Sequence, residues 1–133
     1  MREFDDFMEI VRKIRRNCPW DSVQTHESLK KYLLEESNEV LEGIDRLSKE
    51  NDGTNLCEEL GDVLFQVALH SVIAEEEGLF TVEDVIRDVS SKMKFRHPKI
   101  FSPEDKQLAG LSWEELKQLE KATEEESEKA EKP

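Results

Sequence analysis

The chain of 133 residues carries 32 acidic and 19 basic residues, a formal net charge of −13, and is 36% hydrophobic and 38% charged. Its length suits one domain with a real hydrophobic core, and its charge content is typical of a helical bundle whose helices each bury one stripe. The negative charge disfavours nucleic acid as a partner, because phosphates repel an anionic surface. No apolar run of the sequence has the length of a membrane span, so we expect no membrane partner.

The two cysteines, Cys18 and Cys57, lie far apart and form no CxxC pair. Reduced thiols in a cytoplasmic protein are the plain interpretation of such isolated cysteines. The N-terminal segment is charged and amphipathic and lacks the apolar core of a signal peptide. We therefore expect a cytoplasmic location.

Apolar residues recur at helical spacing through most of the chain, and this pattern predicts an all-α fold. Four long helices are expected at about residues 3–16, 25–49, 54–77 and 82–96. The segment Asn51-Asp52-Gly53 is typical of a turn between the second and third helices, and Gly78 is placed to end the third. Short connections of this kind favour an antiparallel bundle.

The third helix differs from the others because its middle, from Leu60 to Ala74, is apolar almost all round. A helix with that pattern is buried on several sides. In a chain of this length, we expect a second subunit to cover part of it. Gly61 lies in the same helix, where glycine costs about 1 kcal/mol relative to alanine, so we expect a close approach of another helix or a ligand there.

The C-terminal region is expected to form a loop at residues 99–111 and then one short helix. Ser112 and Glu115 match a capping box at the start of that helix. Residues 122–133 are charged and low in apolar residues, which is typical of a frayed tail. The sequence therefore predicts one domain over residues 1–121, an antiparallel four-helix-type bundle with a short extra C-terminal helix.

Two pairs of acidic residues lie on the second and third predicted helices. Glu36 and Glu39 are three residues apart, as are Glu59 and Asp62, so each pair shares one helix face. If the two helices are antiparallel neighbours, the pairs face each other across the bundle. Four converging carboxylates are the hard oxygen ligands that Mg²⁺ and Mn²⁺ prefer.

Other interpretations of these acids are open on spacing alone. Either pair by itself is common on a solvated helix face. A di-iron bundle uses Glu-x-x-His motifs, and none of the three histidines has a glutamate three residues before it. Asn38 and Gln66 lie near the acidic turns and are expected to support the acids by hydrogen bonds.

A further pattern joins six segments of the chain. They are Cys18-Pro19-Trp20-Asp21, Gln24-Thr25-His26, Glu35-Glu36-x-x-Glu39, Glu59 to Val67, Arg96-His97-Pro98 and Ser112-Trp113-Glu114. In this order, over about residues 5–121, they resemble the MazG nucleoside triphosphate pyrophosphohydrolases. That family belongs to the all-α NTP pyrophosphatases.

The resemblance implies an enzyme that hydrolyses NTPs and dNTPs between the α and β phosphates, releasing pyrophosphate, with broad base specificity and a house-cleaning role. It implies that Glu36, Glu39, Glu59 and Asp62 bind Mg²⁺, with Mn²⁺ as a substitute, and that Glu35 is a further ligand or the base. Members form homodimers or dimers of dimers, with sites near the subunit interface. The alternatives are a dUTP- or phosphoribosyl-ATP-type enzyme and a non-catalytic metal-binding dimerisation module.

The catalytic base and the phosphate contacts have more than one candidate. Either Glu35 or Glu36 accepts a proton from the attacking water, or the metal alone activates the water and both acids are ligands. Lys92 and Arg96 are four residues apart on the fourth helix and either bind the terminal phosphates or form a solvated basic face. At Phe95 the chain lacks the second arginine that is usual in the resembled family.

Aromatic and histidine side chains near these segments supply the remaining candidates. Trp20 and Trp113 each either stack on a nucleobase or anchor the bundle, and we expect Trp20 to be structural and Trp113 to cover the base. Gln24 and His26 are expected to cap the second helix rather than bind ligand. His70 is expected to be a hydrogen-bonded core histidine.

Overall fold

The structure of the protein, a computed structural model, describes the backbone of residues 2–131 and the side chains of residues 2–126. Its regular elements are helices, and no strand occurs within residues 2–131, which confirms the predicted all-α fold. Two compact units divide between Val82 and Glu83. None of the described helices is long and apolar enough to cross a bilayer.

The first unit contains three long helices and a short 3-10 turn. The helices are α1 at Arg2–Asn17, α2 at His26–Glu50 and α3 at Thr54–Glu76, and the 3-10 turn covers Asp21–Val23. The expected bounds of all three helices are correct to within one residue at each end. Periodicity alone was therefore sufficient to place them.

The N-terminus of α2 is closed by a reciprocal capping box. The Ser28 amide donates to Thr25 Oγ1 at 3.1 Å, and the Thr25 amide donates to Ser28 Oγ at 2.9 Å. The expectation that His26 caps the helix is wrong, because the Thr25 hydroxyl holds that place. Gln24 supports the box from outside, since its Oε1 accepts from Ser28 Oγ at 2.7 Å.

A three-residue turn reverses the chain between α2 and α3. Asn51 adopts the left-handed conformation, with φ of 55°, and its amide donates to the Leu47 carbonyl at 2.9 Å. Asp52 Oδ1 then accepts from the Thr54 amide at 3.0 Å, and this bond lowers the pKa of Asp52. The predicted turn is confirmed, and it makes α2 and α3 antiparallel neighbours.

Three helices share one apolar core in this unit. Val11 of α1, Leu29 of α2 and Leu69 of α3 are fully buried at its centre. The core residues are Met8, Val11, Leu29, Ala68, Leu69, Val72, Ile73 and Val82. Because interiors pack as densely as organic crystals, this contact fixes the positions of α2 and α3 relative to each other.

The closest approach of α2 to α3 occurs at Gly43. A Cβ atom built on Gly43 would lie 3.0 Å from Leu56 Cα and 3.1 Å from Asn55 Oδ1, so the two backbones nearly touch. The close approach expected at Gly61 is not found among the described residues, because no atom lies within 4 Å of a Cβ placed there. A small residue is therefore required on α2 rather than on α3 within this chain.

The second unit contains two longer and two short helices. They are α4 at Val82–Arg96, α5 at Pro98–Phe101, α6 at Lys106–Ala109 and α7 at Trp113–Glu131. The Ser112–Glu115 capping box is confirmed, with bonds of 3.1 and 3.0 Å. The predicted limit of the domain at residue 121 falls inside α7 and stays a prediction, and the last two residues of the predicted tail lie outside the described chain.

The expectation of a plain loop at residues 99–111 is wrong. Pro98 occupies the first turn of α5, where its missing N–H is not needed. The Asp105 carboxylate accepts from the Leu108 amide at 3.1 Å and so caps α6. The last helix has 19 residues and is longer than expected, because glutamate, lysine, leucine and alanine favour helix throughout it.

Two glycine-to-alanine changes test the close approach of α2 to α3. We expect Gly43→Ala to destabilise the protein by roughly 1–3 kcal/mol, because the methyl group forces the backbones apart. Gly61→Ala is the matched control, because its methyl group meets open space and the substitution removes a residue that disfavours helix. It should stabilise the protein by roughly 0.5–1 kcal/mol. Urea unfolding measures both, and equal effects of the two changes would contradict the assignment.

Candidate metal centre

Four carboxylates from two helices converge at one place in the first unit. Glu36 and Glu39 come from α2, and Glu59 and Asp62 come from α3. One oxygen atom of each lies within 4.8 Å of the others. Glu36 and Glu59 are half-buried, whereas Glu39 and Asp62 are exposed, so the cluster has an inner and an outer side. The spacing argument predicted this convergence from the two acidic pairs.

Mutual repulsion raises the pKa of two members of the cluster. For Glu59 the largest cause is a hydrogen bond with Glu39, followed by burial and the charges of Glu39 and Asp62. For Glu39 the hydrogen bond from Glu59 acts to lower the pKa, but the hydrogen bond and charge of Glu36, together with burial and Asp62, prevail and raise it. The ionised forms of these two carboxylates are therefore disfavoured by their neighbours in the cluster.

Two oxygen atoms on the inner side of the cluster require a partner. Glu36 Oε2 and Glu59 Oε2 are buried, and neither forms a hydrogen bond with any described residue. A buried carboxylate oxygen without a donor or cation is costly. A set of four carboxylates that includes two buried oxygen atoms without a partner fits a hard divalent cation.

One neighbour of the cluster was not predicted. Asn55 Nδ2 donates to Glu59 Oε1 at 3.4 Å and so orients that carboxylate. Asn55 lies on the first turn of α3, four residues before Glu59, and its Oδ1 faces Gly43 of α2. The i, i+4 spacing of Asn55 and Glu59 is visible in the sequence. By itself, this spacing does not show whether Asn55 orients a carboxylate of the site or only faces solvent.

The comparison with known proteins decides the family. A family model described as the MazG nucleotide pyrophosphohydrolase domain matches residues 24–101, which include both acidic pairs. The chain belongs to the MazG family. The predicted resemblance to this family is thereby confirmed.

Relatives of this MazG chain agree with the match. It is 45% identical over 120 residues to the Thermotoga maritima protein named nucleoside triphosphate pyrophosphohydrolase/pyrophosphatase MazG, covering 89% of this chain and 45% of that protein. It is 38% identical over 128 residues to the nucleoside triphosphate pyrophosphohydrolase of Escherichia coli K12, covering 92% and 47%. It is 48% identical over 130 residues to the uncharacterized protein YabN of Bacillus subtilis, covering 94% and 26%. The chain thus spans less than half the length of each of these relatives.

Three further predicted residues lie on α2 and near it. Glu35 and Asn38 are exposed, and Glu35 does not belong to the set of converging carboxylates. Trp20 packs edge-on against Tyr32, with ring centroids 5.3 Å apart, yet keeps 47% of its surface exposed. Its structural contact is therefore present, and its role towards substrate stays a prediction.

The basic residues predicted to bind substrate lie in the second unit of the MazG chain. Arg96 donates to both carboxylate oxygens of Glu120 at 3.3 and 3.2 Å, and its guanidinium lies 5.1 Å from the ring centroid of Trp113. Lys92 and Arg96 line one surface cavity of about 410 Å³ together with Lys117. The structure therefore brings Lys92, Arg96 and Trp113 into one region, where Arg96 is held by a carboxylate.

Replacement of the cluster carboxylates tests both the repulsion between them and their binding of a metal ion. The pKa of Glu39 and of Glu59 is higher in the folded protein than in the unfolded chain. As the pH rises from the unfolded-state pKa through the folded-state pKa, the folded protein loses stability, and this loss persists at neutral pH. We therefore expect Glu39→Gln and Glu59→Gln to raise the Tm of the metal-free protein at neutral pH. They should also abolish the rise in Tm on adding Mg²⁺, which in the parent is roughly 10 °C at about 100 Kd.

Thermal unfolding in EDTA and in Mg²⁺ measures these effects. Glu58→Gln is the matched control, because Glu58 is an exposed neighbour on the same helix and stands outside the cluster. This control should keep the full Mg²⁺-dependent rise. A rise of parental size in both cluster variants would contradict the assignment of these carboxylates to a metal centre.

Proposed function

We propose that this chain is a Mg²⁺-dependent enzyme that cleaves nucleoside triphosphates between the α and β phosphates and releases a nucleoside monophosphate and pyrophosphate. The observation that carries the proposal is the four-carboxylate cluster with two buried, unpartnered oxygens in a MazG-family chain. Relatives named nucleoside triphosphate pyrophosphohydrolase support it. A cytoplasmic location and broad base specificity belong to the same proposal.

Glu36, Glu39, Glu59 and Asp62 would hold the metal in this proposal. Mg²⁺ bound there, or Mn²⁺ in its place, supplies charge neutralisation between the triphosphate and the acidic chain and lowers the pKa of a bound water. Asn55 keeps Glu59 oriented through its 3.4 Å hydrogen bond. The Gly43 contact holds α2 and α3 at the spacing that the four carboxylates need.

Two carboxylates are candidates for the catalytic base. Glu36 belongs to the four-residue set and has one buried oxygen without a hydrogen-bond donor. The proposal therefore assigns Glu36 to the metal as a ligand. Glu35 lies beside it in sequence, is exposed and stands outside the set. Glu35 can therefore accept a proton without giving up a ligand position, and the proposal assigns the base role to it.

Contacts to the substrate come from two parts of the chain in this proposal. Lys92 and Arg96 bind the terminal phosphates, and Arg96 exchanges its bond to Glu120 for the more highly charged phosphate. Trp113, which is 43% exposed and lies beside Arg96, covers the nucleobase. Trp20 offers a second exposed ring at the start of the chain's 3-10 turn.

An assay with single substitutions tests the activity and the two acidic roles. With a panel of NTPs and dNTPs plus Mg²⁺, we expect pyrophosphate release with several bases, and Glu39→Ala should lower kcat/KM by roughly 100-fold or more. Glu35→Gln should lower kcat by a similar factor while keeping the Mg²⁺-dependent rise in Tm. That combination separates a base from a ligand, because a ligand variant loses both.

The same panel decides between the proposed function and its alternatives. Turnover confined to dUTP or to phosphoribosyl-ATP would assign the chain to those related activities. No release from any nucleotide, with Glu39→Ala behaving like the parent, would leave a non-catalytic metal-binding module. Ser91→Ala, an exposed change on α4 outside the cluster, serves as the matched control and should keep parental rates.

We further propose that the chain is a homodimer or a dimer of dimers that pairs through α2 and α3. Leu60, Leu64 and Val67 lie along one face of α3, yet they keep 52%, 46% and 40% of their surface exposed. Leu34 and Leu41 of α2 are 65% and 60% exposed. Large apolar side chains exposed at helical spacing on two neighbouring helices favour a protein interface there. The expectation that a second subunit covers α3 is supported by this exposure.

Disruption of that surface should separate the subunits. We expect Leu64→Glu to raise the dimer dissociation constant by roughly 10- to 100-fold, because a buried leucine contributes about 1.5–3 kcal/mol and a buried charge adds a penalty. Ile100→Glu is the matched control, since Ile100 is 69% exposed and lies in the second unit. Sedimentation velocity measures the effect, and a parent chain that is monomeric at micromolar concentration would contradict the proposal.

A further inference from the structure

Two histidines of the first unit bond to each other away from the carboxylate cluster. His26 opens α2 and His70 lies in the middle of α3. Their Nδ1 atoms are 2.8 Å apart, and their rings are parallel to within 8°. A nitrogen–nitrogen contact of this length is a hydrogen bond that holds one proton, so one ring donates at Nδ1 and the other accepts.

Glu77 decides which ring donates when both rings are neutral. Its Oε1 lies 3.0 Å from His26 Nε2, and a carboxylate accepts but does not donate. His26 therefore carries its proton on Nε2, and the Nδ1 of the neutral ring is left as an acceptor. His70 must then donate at Nδ1, which leaves a bare lone pair on His70 Nε2.

The bare nitrogen of His70 lies in a buried polar position. His70 Nε2 is buried and has no hydrogen-bond partner among the described residues, and the same holds for Gln66 Oε1. Gln66 is only 7% exposed, and it precedes His70 by four residues, so the two side chains share one face of α3. With neutral rings, this face presents two buried acceptor atoms that lack a partner among the described residues, which is an unfavourable arrangement.

We propose that His26 and His70 form one proton-binding unit in which proton uptake switches the tautomer of His70. The proton between the two Nδ1 atoms passes from His70 to His26, and the incoming proton binds to His70 Nε2. His26 becomes an imidazolium that keeps its bond to Glu77, while His70 stays neutral. The net change is one proton gained, and the buried Nε2 changes from an acceptor to a donor on the face that carries Gln66 Oε1.

The surroundings place the positive charge on His26. Burial, followed by the charge of His26, lowers the pKa of His70, so His70 is the ring that stays neutral. His26 keeps part of its surface in solvent and bonds to Glu77. Three ion pairs join other charged groups of these helices, Arg12 with Glu75, Arg15 with Glu76 and Lys30 with Glu27.

The switched atom belongs to a helix face that leads to the carboxylate cluster. Asp62, Gln66 and His70 follow one another at intervals of four residues on α3. Proton uptake at His70 Nε2, with the positive charge carried by His26 beside Glu77, therefore changes hydrogen bonding on the face that carries Asp62. The pair thus acts as a pH-responsive element outside the metal centre.

Nitrogen-15 NMR of the imidazole rings across a pH titration tests this unit directly. The chain has three histidines, so every ring can be assigned, and His97, whose Nδ1 lies 2.6 Å from the Met93 carbonyl, supplies a reference for the Nδ1–H tautomer. At high pH we expect His26 as the Nε2–H tautomer and His70 as the Nδ1–H tautomer. As the pH falls, His26 should become doubly protonated while His70 changes to the Nε2–H tautomer with the same midpoint.

Two neutralising substitutions separate the role of Glu77 from a general effect of charge. Glu77→Gln should remove the tautomer preference at high pH, because an amide both donates and accepts. Glu76→Gln removes the same charge one residue away, where the carboxylate binds Arg15, and should keep both tautomers. A His70 ring that keeps one tautomer through the titration of His26, or that becomes charged before His26, would overturn the proposal.

Discussion

The packing of α2 against α3 holds four carboxylates closer together than their charges favour. Their oxygens lie within 4.8 Å of one another, and the pKa of both Glu39 and Glu59 is raised as a result. The apolar core supplies the free energy that opposes this repulsion, since Leu29 and Leu69 are fully buried between the same helices. The four-carboxylate cluster is therefore electrostatically unfavourable in the fold, and the cation proposed to bind there would relieve this repulsion.

Those parts of the molecule that depend on local spacing could be predicted from the sequence. The three helices of the first unit follow from apolar periodicity, and the convergence of Glu36 and Glu39 with Glu59 and Asp62 follows from two i, i+3 pairs and one chain reversal. The capping box at Ser112 needed no tertiary information either. Shorter signals were missed, because α5 and α6 each have only four residues and offer no period to detect.

Contacts that depend on tertiary approach could not be predicted from spacing. The backbone contact belongs to Gly43 and not to Gly61, and only the crossing point of α2 and α3 distinguishes them. Arg96 lies against Glu120, 24 residues away in sequence, and His26 lies against His70, 44 residues away. Such pairings depend on helix rotation and side-chain reach, which a single sequence does not determine.

The turn between α2 and α3 has a further consequence for insertions and deletions. Only Asn51, Asp52 and Gly53 separate the helices, and all three of these residues bond to the helix ends. Because each residue of a helix turns it by about 100°, one residue added near the start of α3 would rotate Glu59 and Asp62 away from Glu36 and Glu39. The number of residues in this turn is thus as constrained as the identity of the four clustered carboxylates, and length variation between MazG chains should fall elsewhere, at sites such as the connection between α5 and α6.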